Sequence, residues 1–313
     1  MTLTELRYIV ALAREQHFGR AARRCFVSQP TLSIGVKKLE DELGITIFER
    51  SKFAVHTTPS GKKIIAQAQK VLEETDALKE IASMGKDQLS SPLRVGAIYT
   101  IGPYLFPRMI PQLTRTAPAM PLYLEENFTS VLRQKLRMGE LDVIIVTLPF
   151  TEPDVVTLPL YDEPFIVLMP GNHSLARQKA VDPVSLQAEN VLMLSQGHCF
   201  RDQVLAACPA LINRKDHTHP DHDHTSLEAS SLETIRHMVA SGMGITVLPI
   251  SAADNRHYDS ELLTTRPFKS SAPSREVALA WRASFPRTRA IEILERAIRQ
   301  SSIQPVKDQP VKG

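Results

Sequence analysis

The chain has 313 residues, of which 43% are hydrophobic and 23% charged, and its formal net charge is +3. This length predicts two or three compact units. No apolar run approaches the roughly 20 residues that cross a bilayer, and the N-terminus lacks the apolar core of a signal peptide. The sequence therefore predicts a cytoplasmic protein. Residues 1–60 hold nine Lys and Arg against six Asp and Glu, so the positive excess lies at this end and suggests a polyanion partner.

The first 58 residues are predicted to form three helices and a wing. Apolar residues of the first helix recur at helical spacing, and the second helix carries small alanines that let a neighbour approach. Ser28 is a good N-cap for the third helix, Pro30 is tolerated in its first turn, and Gly44 ends it. Residues 45–58 alternate apolar and polar positions, which indicates a small β-wing.

Residues 18–37 have the pattern of a helix-turn-helix, whose second helix enters the DNA major groove. That helix presents short polar side chains and a lysine, which suit base edges and phosphates, although a polar surface helix has the same pattern. We predict that Gln29, Thr31 and Ser33 set sequence preference, whereas Lys37 and Arg50 bind phosphates. The predicted DNA contacts are Arg20, Ser28, Gln29, Pro30, Thr31, Ser33, Lys37 and Arg50.

A linker helix is predicted over residues 59–89. Its apolar positions follow one another at steps of four and three, the spacing of a coiled-coil seam, and so favour dimerisation. The alternative is a helix packed on its own domain. The seam consists of Ile64, Ala68, Val71, Thr75, Leu78 and Ala82.

Residues 92–302 alternate short apolar strands with helices, which is typical of a parallel α/β sheet. This stretch contains no dinucleotide fingerprint or P-loop, which favours a unit that senses a ligand or signal. Pro164 and Pro267 each adjoin an apolar strand and predict two crossings between subdomains. Residues 303–313 are predicted to be a disordered tail. The predicted strands are 93–98, 122–126, 143–148, 165–169, 191–194, 244–248 and 277–281, and the helices 104–116, 129–138, 231–241 and 287–301.

The stretch AARRCFVSQPTLSIGVKKLEDELGITIFER, with the TTPSG that closes the wing, resembles the winged helix-turn-helix of LysR-type transcription regulators. The resemblance implies a multi-domain α/β protein with a long linker helix and a two-lobed effector domain like that of periplasmic binding proteins. It also implies a homodimer through the linker helix, a homotetramer on promoter DNA, and RNA polymerase as a partner.

Cys199 and Cys208 lie nine residues apart in GHCFRDQVLAAC. On one helix they would be about 13 Å apart, whereas a disulfide needs Cα atoms within roughly 7 Å, so bonding requires the segment to refold. Pro209 limits any helix through Cys208 and lowers the cost of that refolding. The pair therefore forms either a two-state switch or inert core packing.

Cys199 has the sequence surroundings of a reactive thiolate. His198 precedes it, Arg201 follows it, and a helix is predicted to start there. Positive charge and helix N-terminal N–H groups favour the thiolate, which peroxide oxidises to a sulfenic acid that a second cysteine can resolve. Cys25, between the two helices that face DNA, is predicted to be a small buried residue.

The segments IYTIGPYLFP, LYDEPF, LMLSQGHC, SLETIRHMVASGMGITVLP and REVALAW resemble the peroxide-sensing branch of the LysR family. The resemblance implies that Cys199 reacts with hydrogen peroxide, that Cys208 resolves it, and that a glutaredoxin- or thioredoxin-class reductant resets the switch. It implies no cofactor, no metal and no enzymatic turnover. The implied peroxide-binding and thiolate-stabilising residues are Thr100, Thr129, His198, Arg201, Asp202 and Arg275.

The segment KDHTHPDHDH, at residues 215–224, departs from this resemblance. Its histidines resemble a metal site, but it holds Pro220 and no apolar residue, which favours a solvated loop. Two other functions stay open: a LysR-type regulator gated by a metabolite, and a thiol peroxidase with a DNA-binding arm. The histidines are His217, His219, His222 and His224.

Overall fold

The structure, a computed structural model, describes residues 1–50, 55–82, 88–211, 228–253, 262–269 and 272–301. The chain divides into two units, Met1–Lys86 and Asp87–Gly313. The histidine-rich segment 215–224 and the tail 303–313 lie outside the described residues. No helix in the described ranges combines the length and the apolarity needed to cross a bilayer.

The first unit has the predicted three helices, wing and long helix. Ser28 caps the third helix by accepting from the Thr31 N–H, and Gly44 ends it in the left-handed conformation with φ of 64°. These two local signals account for the agreement between prediction and structure. The elements are α1 Leu3–Glu15, α2 Phe18–Arg24, α3 Gln29–Leu43, β1 Phe48–Arg50, β2 Val55–Thr57 and α4 Pro59–Ala82.

The turn between α2 and α3 carries an exposed aromatic residue. Phe26 has φ of 56° and its side chain is 95% exposed. Its N–H donates to the Arg23 carbonyl, and the Val27 N–H donates to the Ala22 carbonyl, which together form a Schellman motif. Phe26 therefore occupies the left-handed position that glycine usually takes. Cys25 beside it is half-buried against the core, and burial raises the pKa of its thiol.

The predicted apolar seam of α4 has two parts that differ in burial. Ile64 and Ala68 pack on the core of the first unit, so this part of the helix follows the alternative interpretation. Val71 and Leu78 are exposed, the latter by 66%. Dimerisation through this part of the seam stays a prediction.

The second unit contains a mixed sheet, which corrects the prediction of a parallel one. Strand β3 pairs in parallel with β4 and β5, but β11 runs antiparallel to β5 and β6, and β6 antiparallel to β9 and β10. Strand direction depends on long-range pairing, which hydrophobic spacing does not report. The strands are β3 Leu93–Ile98, β4 Leu122–Asn127, β5 Val143–Thr147, β6 Val155–Pro170, β7 Val191–Leu194, β8 Glu228–Ala229, β9 Ile245–Pro249, β10 Leu263–Pro267 and β11 Ser274–Arg282.

The sheet supports two lobes, each with its own buried core. Strand β6 runs through both: it pairs with β11 up to Pro164 and with β9 from Phe165 onward. The second crossing follows Pro267, where β10 ends, so both predicted crossings are confirmed. The helices of the second unit are α5 Gly102–Thr116, α6 Thr129–Arg137, α7 Cys199–Ala207, α8 Leu232–Ala240 and α9 Thr288–Ser301, with short 3₁₀ turns at Ser174–Arg177, Pro183–Ala188, Pro209–Leu211 and Ile250–Ala253.

Candidate functional site

Cys199 is the first residue of α7 and lies at the boundary between the two lobes. The helix itself belongs to the second lobe, where Phe200 and Val204 are buried. The half-buried Cys199 side chain instead packs against the core of the first lobe. A chemical change at this sulfur therefore acts on both lobes.

A hydroxyl from the first lobe faces the sulfur. Thr147 Oγ1, at the end of β5, lies 3.8 Å from Cys199 Sγ and accepts a 2.8 Å hydrogen bond from Gln203 Nε2. Because the amide nitrogen can only donate, Thr147 keeps its own O–H to donate to the sulfur. Neither residue was predicted from the sequence. Gln203 had a detectable signal, since it lies four residues after Cys199 and so on the same helix face.

His198, immediately before α7, is 5% exposed and stacks 4.7 Å from the Phe128 ring. Burial lowers the pKa of His198 from its ordinary value, while a hydrogen bond with the Ser230 backbone acts in the opposite direction. Burial therefore favours the neutral form of the ring. Its buried Nε2 has no hydrogen-bond partner among the described residues, and is free to accept from a small polar ligand.

Arg201, in the first turn of α7, binds groups on two neighbouring strands. Its Nη1 donates to the Leu194 carbonyl at 2.7 Å and to Glu228 Oε1 at 2.6 Å. Arg201 thus ties α7 to β7 and β8. Asp202 is exposed in the first turn of α7, where a carboxylate favours the helix N-terminus.

Arg275, one of the predicted site residues, is buried. It donates from Nη1 to Thr100 Oγ1 and from Nη2 to the Thr100 carbonyl, both at 2.8 Å. Its guanidinium lies 5.2 Å from the centre of the ring of Phe200, the residue that follows Cys199. Glu163, which the sequence analysis missed, forms a buried ion pair with Arg275. Arg275 therefore fixes both the Thr100 side chain and one face of α7.

Thr129 is linked to His198 by Phe128, the residue that precedes it in the sequence. It is half-buried and opens α6 directly after Phe128, whose ring contacts His198. The N-termini of α6 and α7 thus lie close together. Of the predicted peroxide-binding residues, Arg275 binds Thr100 and lies over the Phe200 ring, His198 directly precedes α7, and Thr129 follows Phe128, whose ring contacts His198.

Cys208 closes the other end of α7 as its C-cap. Its N–H donates to the Val204 carbonyl, and its side chain is 1% exposed within the core of the second lobe. Burial raises the pKa of the Cys208 thiol to about 11. Nine helical steps separate the two cysteines by about 13 Å. A disulfide between them therefore requires α7 to unravel.

The predicted DNA contacts are mostly exposed. Gln29, Pro30, Thr31 and Lys37 are exposed on α3, whereas Ser33 is half-buried. The Ser28 and Thr31 hydroxyls are 2.7 Å apart and bind each other at the helix start.

Arg20 is exposed on α2, where its guanidinium binds the Glu15 backbone carbonyl at 2.6 Å. Arg50 lies in β1, and its side chain falls outside the described part of the structure. Ile34, 68% exposed on α3, was missed because the sequence analysis sought polar contacts.

Two family models match the chain. Residues 3–62 match the bacterial regulatory helix-turn-helix protein of the lysR family, and residues 86–302 match the LysR substrate binding domain. The chain is 40% identical over 300 residues to the DNA-binding transcriptional dual regulator OxyR of Escherichia coli K12, covering 96% of this chain and 95% of that protein.

Solved structures agree with these matches. Full-length OxyR of Pseudomonas aeruginosa with a cysteine-to-aspartate replacement has 62% identity and a TM-score of 0.81, over 96% of this chain and 99% of that one. A hydrogen-peroxide-bound cysteine-to-serine mutant of Corynebacterium glutamicum OxyR has 32% identity and a TM-score of 0.62, over 96% and 92% of the two chains.

Proposed function

This chain belongs to the LysR family of bacterial transcription regulators, and we propose that it regulates the oxidative-stress response by sensing hydrogen peroxide through a reversible Cys199–Cys208 disulfide. DNA binding is assigned to residues 1–58, dimerisation to 59–89 and sensing to 92–302. The observation that carries the proposal is the placement of the two cysteines at opposite ends of one short helix, the first at the lobe boundary and the second inside a core.

Peroxide binding uses the groups around the start of α7. The neutral His198 accepts a hydrogen bond at Nε2, and Thr100 keeps its O–H free because Arg275 donates to its oxygen. Thr129 and the Thr147 hydroxyl add donors on the first-lobe side. These groups hold one peroxide oxygen against Cys199 and the other where hydroxide will leave.

Oxidation then proceeds in two balanced steps. The Cys199 thiolate attacks one peroxide oxygen, an S–O bond forms, the O–O bond breaks, and hydroxide leaves to become water. The Cys208 thiolate next attacks the sulfenic sulfur, an S–S bond forms, and the S–O bond breaks with loss of a second hydroxide. Because the buried Cys208 thiol stays protonated near pH 7, this second step waits until α7 opens.

The remaining partners follow from the same proposal. The exposed part of α4 pairs with a second copy, and two such dimers bind promoter DNA as a homotetramer in the cytoplasm. The refolded switch reorients the DNA-binding heads toward RNA polymerase, and a glutaredoxin- or thioredoxin-class dithiol reduces the disulfide. The protein reacts once per signal and does not turn over as an enzyme.

Two measurements on the full-length chain test this function. Mass spectrometry after limiting peroxide should find the Cys199–Cys208 disulfide in the wild type and in Cys25→Ser, but not in Cys208→Ser. Footprinting should show protection of a specific duplex whose pattern changes on oxidation. A chain that stays reduced, or whose footprint ignores its redox state, contradicts the proposal.

A further inference from the structure

Helix α3 carries an apolar side chain at the centre of its exposed face. Ile34 is 68% exposed, whereas Leu32 and Val36 on either side of it are fully buried. At about 100° per residue, Ile34 lies about 200° around the helix from Leu32. Gly35 packs so closely on α1 that an added Cβ would come within 2.7 Å of the Tyr8 ring. The helix is therefore fixed with Ile34 pointing outward.

The neighbours of Ile34 on this face are Pro30 and Lys37, which lie one turn before and one turn after it and are both exposed. The preceding helix, α2, carries the exposed side chains of Arg20, Arg23 and Arg24, and Arg20 and Arg24 each lie 3.6 Å from the Glu15 carboxylate. A lone exposed isoleucine beside Lys37, in a stretch of 60 residues with nine Lys and Arg against six Asp and Glu, matches a polyanion that offers one apolar spot. It does not match the broad apolar surface of a protein partner.

We infer that Ile34 sets base preference by contacting the C5-methyl group of a thymine in the major groove. That methyl is the apolar group which base pairs present in this groove, and a branched alkyl chain packs against it. Opposite any other base, Ile34 would cover a polar edge without giving it a hydrogen bond, which costs free energy. Gln29 and Thr31 then contact the bases on either side of that thymine. This inference rests on the proposed DNA binding.

The experiment starts from a duplex that the full-length protein selects from a random library. Each thymine of that duplex is replaced singly by deoxyuridine, which removes only the methyl group, and the Kd is measured at constant salt by fluorescence anisotropy. At one thymine in each half-site the replacement should raise Kd about fourfold, the equivalent of one buried methyl group.

Three variants make the result specific. Ile34→Ala should bind the thymine and deoxyuridine duplexes equally well at that position, and Ile34→Val, which keeps the branched methyls, should retain the discrimination. Lys37→Ala should weaken binding to both duplexes and lower the salt dependence by roughly one unit of slope, without changing their ratio.

The outcomes separate this inference from the proposed function. A protein that selects no sequence overturns both. A protein that selects a sequence but is indifferent to every thymine methyl, or whose Ile34→Ala variant still discriminates, overturns only the role of Ile34.

Discussion

Arg275 and Glu163 form an ion pair of 2.7 Å between Nη2 and Oε2, across the adjacent strands β11 and β6 and out of contact with solvent. Glu163 also accepts a hydrogen bond from the Ser251 N–H through its other oxygen. Its carboxylate therefore connects β6, β11 and the 3₁₀ turn Ile250–Ala253. The pair holds the guanidinium that in turn binds Thr100.

Removing the acid leaves a buried, unpaired charge. Glu163→Ala should therefore lower the free energy of unfolding of the second unit by about 3–5 kcal/mol. Denaturation followed by the fluorescence of Trp281, the single tryptophan of the chain, reports on this unit. Glu292→Ala, at an exposed position of α9, is the matched control and should change the free energy by less than about 0.5 kcal/mol. Equal effects of the two variants would refute the role given to the pair.

Thr147→Val removes the hydroxyl that faces Cys199 and keeps the shape of the side chain. Peroxide should then oxidise Cys199 about fivefold more slowly, since one hydrogen bond of about 1 kcal/mol is lost. Stopped-flow measurement of sulfenic acid formation gives the rate. Thr116→Val, at an exposed position of α5, should react at the wild-type rate. An unchanged rate in Thr147→Val shows that the 3.8 Å contact has no influence on the thiolate.

The two cysteines should differ in chemistry. Dimedone should label Cys199 in Cys208→Ser after peroxide treatment, because the sulfenic acid persists without its resolving partner. Cys199→Ser should not be labelled at the buried Cys208, whose raised pKa keeps it protonated. Labelling of Cys208 at the wild-type rate would reverse the assignment.

His198 makes stability depend on pH on the acid side. Its pKa in the folded state is depressed, so its contribution to stability is complete above the unfolded value of 6.5 and is lost as pH falls through the folded value. The free energy of unfolding should decline below pH 6.5, by at most about 1.4 kcal/mol per pH unit for one proton. His198→Gln should flatten that part of the decline, whereas His237→Gln, at an exposed position, should not.

Phe26→Gly should stabilise the first unit by about 1 kcal/mol, because glycine adopts positive φ without the steric cost that a Cβ imposes. Thermal unfolding followed by far-ultraviolet circular dichroism measures the change. Phe26→Ala removes the exposed ring but keeps the Cβ, and should give no such gain. If both variants stabilise equally, exposure of the ring and not backbone strain is responsible.

The features predicted from sequence are those that local signals specify. Ser28 and Gly44 fix the ends of α3 from within a few residues, and Pro164 marks the crossing of β6. The mixed strand directions of the sheet could not be predicted from the sequence, because β11 pairs with strands more than 100 residues earlier in the chain.

The candidate site shows the same division. Cys199 and Cys208 were named from their spacing and surroundings, and Thr100, Thr129, His198 and Arg275 from the family resemblance. Thr147 was not named, because it meets Cys199 only after β5 and α7 pack together. Sequence proximity to a cysteine does not determine where the long side chain of Arg201 points. Its guanidinium binds the carbonyl of Leu194 on β7 and the carboxylate of Glu228 on β8.

The buried face of α7 also bears on the reduction potential of the switch. Oxidation must release the packing of Phe200 and Val204, so the free energy of that packing stabilises the dithiol and makes the disulfide easier to reduce. Each 1.4 kcal/mol corresponds to about 30 mV for this two-electron couple. A substitution that weakens the packing, such as Phe200→Leu, therefore shifts the potential to more negative values. In the proposed switch, the hydrophobic core of the second lobe therefore contributes to the reduction potential of the Cys199–Cys208 pair.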